Sequence, residues 1–266
     1  MRDTAFGALY AKETRAYFNT PAAYIIAVAF LLITGYLLAQ PLFLVGQASV
    51  GGLLELAPLL LTFFVPAVTM RLFSEEQKSG TIELLQTLPV EDHHILLAKY
   101  LAAVTLLWGV IALTALYPLV VGLLGPLDWG ATAAGYLGLA LAAATLAAIG
   151  TFASAMTRNQ VVAFIIGFAL AFTLYLVGKL DAFIPPALSS VVDFIGLDSH
   201  MHNMAKGVVD TRDLLYFATL SASFLFMTQV RLWLKHDPVV LRDRDKTPHL
   251  NRAKLCCKTR RVYGTR

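Results

Sequence analysis

The sequence predicts an all-α, polytopic membrane protein with six transmembrane helices. Three observations carry that class. Hydrophobic residues make up 58% of the 266 and charged residues only 14%, against about 25% charged in an ordinary soluble domain. The charges are clustered, with long uncharged stretches and a tail dense in Lys and Arg. Six apolar runs are long enough, or nearly so, for a hydrocarbon core about 30 Å thick.

Those runs cover residues 22–39, 53–70, 101–124, 131–156, 161–177 and 214–234. Each must be helical, because lipid offers no partner for a backbone N–H or C=O. Asn19-Thr20-Pro21 supplies a polar cap and a proline at the first turn of the first span. Pro58 and Pro66 are expected to bend the second. No secretory signal is expected: Arg2, Asp3, Lys12, Glu13 and Arg15 precede the first run, and Gln40-Pro41 follows it in place of a small-x-small cleavage site. Small residues recur at four-residue spacing, as Gly138, Ala142, Gly150 and Ser154 in the fourth span and as Ala163, Gly167 and Ala171 in the fifth. Such stripes let helices approach closely. They fit packing within one chain and also a dimer face.

Lys and Arg set the expected orientation. Eighteen of the 21 fall in alternate segments: the N-terminus, the stretch from Arg71 to Lys99, Arg158, and the tail from Arg231. The intervening segments hold only Lys179, Lys206 and Arg212. Both termini are therefore expected in the cytoplasm, in agreement with an even number of spans. The expected location is a bacterial inner membrane.

The loops add detail. In residues 1–21, Phe6, Leu9, Tyr10, Tyr17 and Phe18 alternate with Lys12, Glu13 and Arg15 at helical spacing, as in a helix lying on the cytoplasmic membrane face. In the loop 71–99, Ser74 with Gln77 has the pattern of a capping box, and Gly80 breaks the helix. Thr81 can cap a second short helix with Glu83 in its first turn. Ile82, Leu84, Leu85 and Leu88 make its apolar ridge, and Pro89 stops it. That ridge must cover a membrane surface or a groove on a soluble partner. In the loop 179–213, Pro185-Pro186 bars a regular helix, and residues 187–197 alternate at helical spacing. His200 and His202, with Asp198, Met201 and Met204, are soft-metal ligand types. Two His at i and i+2 point apart on a helix, so no metal is expected there.

Several functions are disfavoured. The chain has no Gly-x-x-x-x-Gly-Lys-Ser/Thr loop for ATP phosphates and no Gly-x-Ser-x-Gly elbow. Its six histidines lie outside the spans, and only Glu55 and Lys179 approach the membrane, near span ends. No catalytic residue and no cofactor are expected. The tail 236–266 carries nine Lys and Arg between Arg242 and Arg266 with only Tyr263 among them. That suits weak contact with anionic lipid rather than nucleic acid. Cys256 and Cys257 are adjacent and read as reduced thiols.

One resemblance is specific. The run Glu75-Glu76-x-x-x-Gly80-Thr81-x-Glu83-x-Leu85, closing with Pro89-Val90 and followed by Lys99, resembles the first cytoplasmic loop of ABC-2 type permeases. Lys12-Glu13 followed by Tyr17-Phe18-Asn19-Thr20-Pro21 is similar to that family's N-terminal interface helix. Gly207-Val208-x-Asp210-x-Arg212-Asp213-x-x-Tyr216-Phe217 resembles the gliding-motility-associated subgroup. The likeness covers about residues 1–235. It implies that residues 74–89 form a coupling helix seated in a separate ABC ATPase subunit. Glu75, Glu76 and Glu83 would make polar contacts, Leu84, Leu85 and Leu88 the apolar anchor, and Gly80, Thr81 and Pro89 the bounds of the helix. It implies short external helices in the loop 179–213. It also implies a dimer with a second permease copy or a sister permease. The domains expected are an interfacial helix over 1–21, a permease domain over 22–235 and a cytoplasmic tail over 236–266. The function implied is the permease of an ATP-driven exporter. Two alternatives stay open: a secondary transporter, and a non-transporting scaffold of an envelope or gliding-type machine.

Overall fold

The computed structural model describes residues 2–44, 50–81, 92–179 and 196–236. All regular structure among them is helical. The helices are α1 (Arg2–Phe18), α2 (Pro21–Leu44), α3 (Gly51–Thr69), α4 (Arg71–Ser79), α5 (Asp92–Thr114), α6 (Leu116–Leu124), α7 (Trp129–Met156), α8 (Gln160–Lys179), α9 (Leu197–Ala205) and α10 (Thr211–His236). Six stretches among the described residues are long and apolar enough to cross a bilayer: Pro21–Gln40, Gly51–Ser79, His93–Leu124, Trp129–Met156, Gln160–Lys179 and Thr211–Trp233. The chain is an all-α polytopic membrane protein.

The second and third stretches are longer than their apolar runs, at 29 and 32 residues. At 1.5 Å per residue they reach about 43 and 48 Å, well past a 30 Å core. Their polar residues, in α4 and the first two turns of α5, mark where the surplus lies. Both surpluses flank the connection 80–91, so two helical stems lead into it.

Helix α7 is the central pillar, with 72% of its apolar window buried. Its Ala and Gly content makes this possible, because neighbours close in to near backbone distance. A Cβ on Gly135 would stand 2.4 Å from Leu54 Cδ1, and one on Gly150 1.9 Å from Thr69 Oγ1. Both small-residue stripes are buried inside the chain, with Gly167 of α8 set against Pro66 and Ala153. Packing within one chain therefore accounts for them. Helices α2, α8 and α10 form the periphery, each with 22% of its apolar window buried.

One local expectation needs correction. Thr20 does not cap α2; its hydroxyl donates back to the Ala16 carbonyl at 2.7 Å, satisfying the end of α1 instead. The third span carries one irregular turn at Ala115, which itself stays right-handed helical (φ −63°, ψ −13°). Pro118 has no N–H to give to the Thr114 carbonyl, and Tyr136 Oη donates to that carbonyl at 2.9 Å in its place. Helix α1 packs on α5: Tyr10 Oη is 2.7 Å from Thr105 Oγ1, and Phe6 packs edge-on to His94.

At the other end α9 lies against α7, α8 and α3, with Leu197, Met201 and Met204 buried. His200 Nδ1 meets Asp213 Oδ1 at 2.6 Å and its ring stacks on Tyr216 at 4.1 Å. His202 points elsewhere, 4.0 Å from Glu55, and Lys179 pairs with Asp198 at 2.8 Å. Among the described residues no group of three His, Cys, Asp or Glu could hold a metal. Residues 187–195, where helical spacing was also expected, lie outside the described residues, as does the tail with Cys256 and Cys257.

Candidate functional site

The capping box expected at Ser74 and Gln77 does not form, because no helix starts there. Met70 is itself in the right-handed helical region (φ −54°, ψ −28°), so α4 runs on from α3 with one irregular turn. Ser74 lies mid-helix, its hydroxyl bonded back to the Met70 carbonyl. The irregular turn is held by Ser154 of α7. Its Oγ accepts from Phe73 N–H at 3.0 Å and from Ser74 N–H at 3.1 Å, and donates to the Met70 carbonyl at 2.9 Å. In an unbroken helix those N–H groups would bond the carbonyls four residues back. A side-chain hydroxyl inserted into the ladder is a recognised cause of a bend. Gln77 adds a second tie, Nε2 donating to the Ala155 carbonyl at 2.9 Å. Helix α4 is thereby fixed to α7 at two successive turns.

Lys99 ties α4 to α5 and α1. It was expected in a loop, yet it lies two turns inside α5 and is 2% exposed. Its Nζ is 2.6 Å from Glu76 Oε1 and 3.1 Å from Glu13 Oε1, and 5.8 Å from the centre of the Phe73 ring. A buried ammonium is tolerated only when paired, and here two carboxylates from two helices supply the pairing. Tyr17 completes the contact of α1, its hydroxyl donating to the Val68 carbonyl at 3.3 Å. Burial, then the negative charge of Glu13, push the Tyr17 phenol well above its ordinary pKa, so it remains a donor.

The candidate coupling residues divide accordingly. Glu76 faces inward to Lys99, whereas Glu75 is exposed. Gly80 ends α4 in the left-handed region (φ 74°), a conformation glycine adopts without strain, and an added Cβ would meet open space. Thr81 is exposed, its Oγ1 2.8 Å from Ser79 Oγ. Glu83, Leu84, Leu85, Leu88 and Pro89 lie outside the described residues. Sequence reasoning missed Ser154 as a ladder insert and the joining of Glu13 with Lys99. The available signal was a lysine and a glutamate set beside apolar runs in a chain poor in charge.

A cavity of about 430 Å³ opens between α1, α2, the α3–α4 junction and α5. Glu13, Tyr17, Arg71, Glu75, Glu76 and Lys99 give its polar lining. Mechanically, the arrangement is a bracket: a load applied to residues 80–91 enters through two stems that are bonded to one another, to α1 and to α7.

A family model described as ABC-2 family transporter protein matches residues 22–197, more than half of the chain. No curated protein matches.

Proposed function

The chain belongs to the ABC-2 family of transporter proteins, and on that premise we propose that it is the permease subunit of an ATP-driven exporter whose ATPase is a separate chain. As a family member it is a multi-pass membrane component of transport and not itself the catalyst. The finer reading puts the stems of the connection 80–91 in the cytoplasm of a bacterial cell, both termini on that side, and two permease chains in each assembly. In this reading it falls in the gliding-motility-associated subgroup.

The observation that carries the proposal is the Lys99 bridge. A segment that merely linked two spans would need no rigid footing. Here the stem before the connection and the stem after it share one buried ion pair, and α1 joins them through Glu13. An ATPase gripping the connection would move α3, α5, α7 and α1 together. In that role Leu84, Leu85 and Leu88 are the anchor, bounded by Gly80, Thr81 and Pro89. Glu75 and Glu83 make the outward polar contacts, and Glu76 stiffens the footing from inside.

The test is co-purification with a co-expressed ATPase, comparing the native chain with Leu84→Asp and Leu85→Asp. Loss of the complex and of stimulated ATP hydrolysis is expected. An intact complex with unchanged hydrolysis overturns the reading. Sidedness is read by labelling a cysteine placed at Lys78, which is exposed; reaction from the outside of intact cells is equally fatal to it.

A further inference from the structure

We propose that the 430 Å³ cavity binds an amphiphile with a cationic head and a hydrocarbon chain, and that it admits substrate of that class. The second half rests on the permease reading; the binding itself does not.

The volume falls in the range of about 300–1,000 Å³ usual for small-molecule sites. Three carboxylates, Glu13, Glu75 and Glu76, line it against two cations, Arg71 and Lys99. Lys99 is already engaged by Glu13 and Glu76, so one negative charge is left over in that buried group. Glu75 is exposed at the rim. An anionic head entering here meets more repulsion than attraction, whereas an ammonium head restores balance.

The opposite wall is apolar. Ala23, Ile26, Val68 and Leu106 line the cavity and also line a narrower crevice between α2, α3 and α5. That crevice continues past Phe30, Phe64 and Leu107 to Ile111. Polar mouth and apolar crevice therefore adjoin, running from the Lys99 cluster towards mid-span. The crevice holds only about 20 Å³, so a chain must part α2 from its neighbours to enter. Helix α2 suits that role, because only 22% of its apolar window is buried and Ala22, Ala23 and Ala27 give it a slender inner face.

The experiment uses the full chain in neutral maltoside micelles and a photoreactive diazirine analogue of dodecylammonium, with adducts mapped by mass spectrometry. Adducts are expected at Ala23, Ile26 and Leu106. Unlabelled dodecylammonium should remove them, while dodecyl sulfate and ethylammonium should not. Glu75→Lys, at an exposed position that leaves folding undisturbed, should lower labelling at least fivefold, and Ala23→Phe should do the same by filling the crevice. Competition by added phosphatidylethanolamine assigns a bilayer lipid as the occupant; competition by dodecylammonium alone assigns a soluble one. Adducts spread evenly over the outer faces of α2, α8 and α10 overturn the proposal. So does labelling indifferent to Glu75→Lys, or equal competition by ethylammonium. No ATPase is present, so failure here leaves the coupling reading standing, and failure of the Leu84 and Leu85 test leaves this site standing.

Discussion

Gly150 of α7 lies so close to Thr69 of α3 that a methyl group on it would stand 1.9 Å from Thr69 Oγ1 and 2.9 Å from its Cβ. This is the tightest approach of any described glycine, and it falls at the bend where α3 passes into α4. Gly150→Ala is expected to destabilise the protein by about 1–3 kcal/mol through overpacking. Thermal unfolding in detergent measures it. Adding Thr69→Ala removes the nearer of the two clashing atoms and should recover part of the loss; no recovery would mean the strain lies elsewhere.

Lys99 makes a sharper prediction. Lys99→Met leaves the half-buried Glu13 and Glu76 without their cation, a change expected to cost at most about 3–5 kcal/mol. Replacing both glutamates by Gln in the same chain should restore most of that stability, since the uncompensated charge is then gone. The pair of melting curves tests the bridge. Equal damage in the single and triple variants would show that packing of the lysine stem, not charge, is what matters.

Ser154 can be tested by hydrogen exchange. Ser154→Ala strips the partner from Phe73 N–H and Ser74 N–H, and leaving buried donors unmet costs about 1–3 kcal/mol. Exchange of those two amides should accelerate by ten-fold or more while amides in the middle of α7 stay slow. A uniform acceleration would indicate global destabilisation and count against a local joint.

The Tyr136–Thr114 bond suits a double-mutant cycle. Tyr136→Phe removes the hydroxyl that covers the carbonyl orphaned by Pro118, at an expected cost of about 0.5–1.5 kcal/mol. In a Pro118→Ala background the helix regains its own N–H at that position, and the same change should be nearly silent. Additive effects would refute the link.

Much of the fold was legible because the bilayer removes choices. Once the run at 131–156 is too apolar for water, helix is the sole solution for it, and its alternating small residues announce close neighbours. The ends were less legible for an equally physical reason. Hydropathy sees where lipid stops, not where hydrogen bonding stops. Helix α3 therefore ran past Met70 into Arg71–Ser79, and α5 began at Asp92 rather than Leu101. Ser74 and Gln77 matched a capping pattern, but a pattern cannot tell a helix start from a helix already under way. The pairing of Glu13 with Lys99 spans distant parts of the chain, and no local periodicity encodes it.

The irregular turn at Ala115 has a bearing on how such a molecule could move. Below it, α5 is bonded to α4 and α1 through Lys99. Above it, Tyr117 Oη donates to the Leu31 carbonyl of α2 at 2.7 Å, and Tyr136 holds the turn itself. A continuous rod would swing both its ends at once, opening one side of the bilayer whenever the other shifted. With an irregular turn at mid-length and each half pinned separately, this one can bend at Ala115 while either half stays moored, as the two doors of an airlock require.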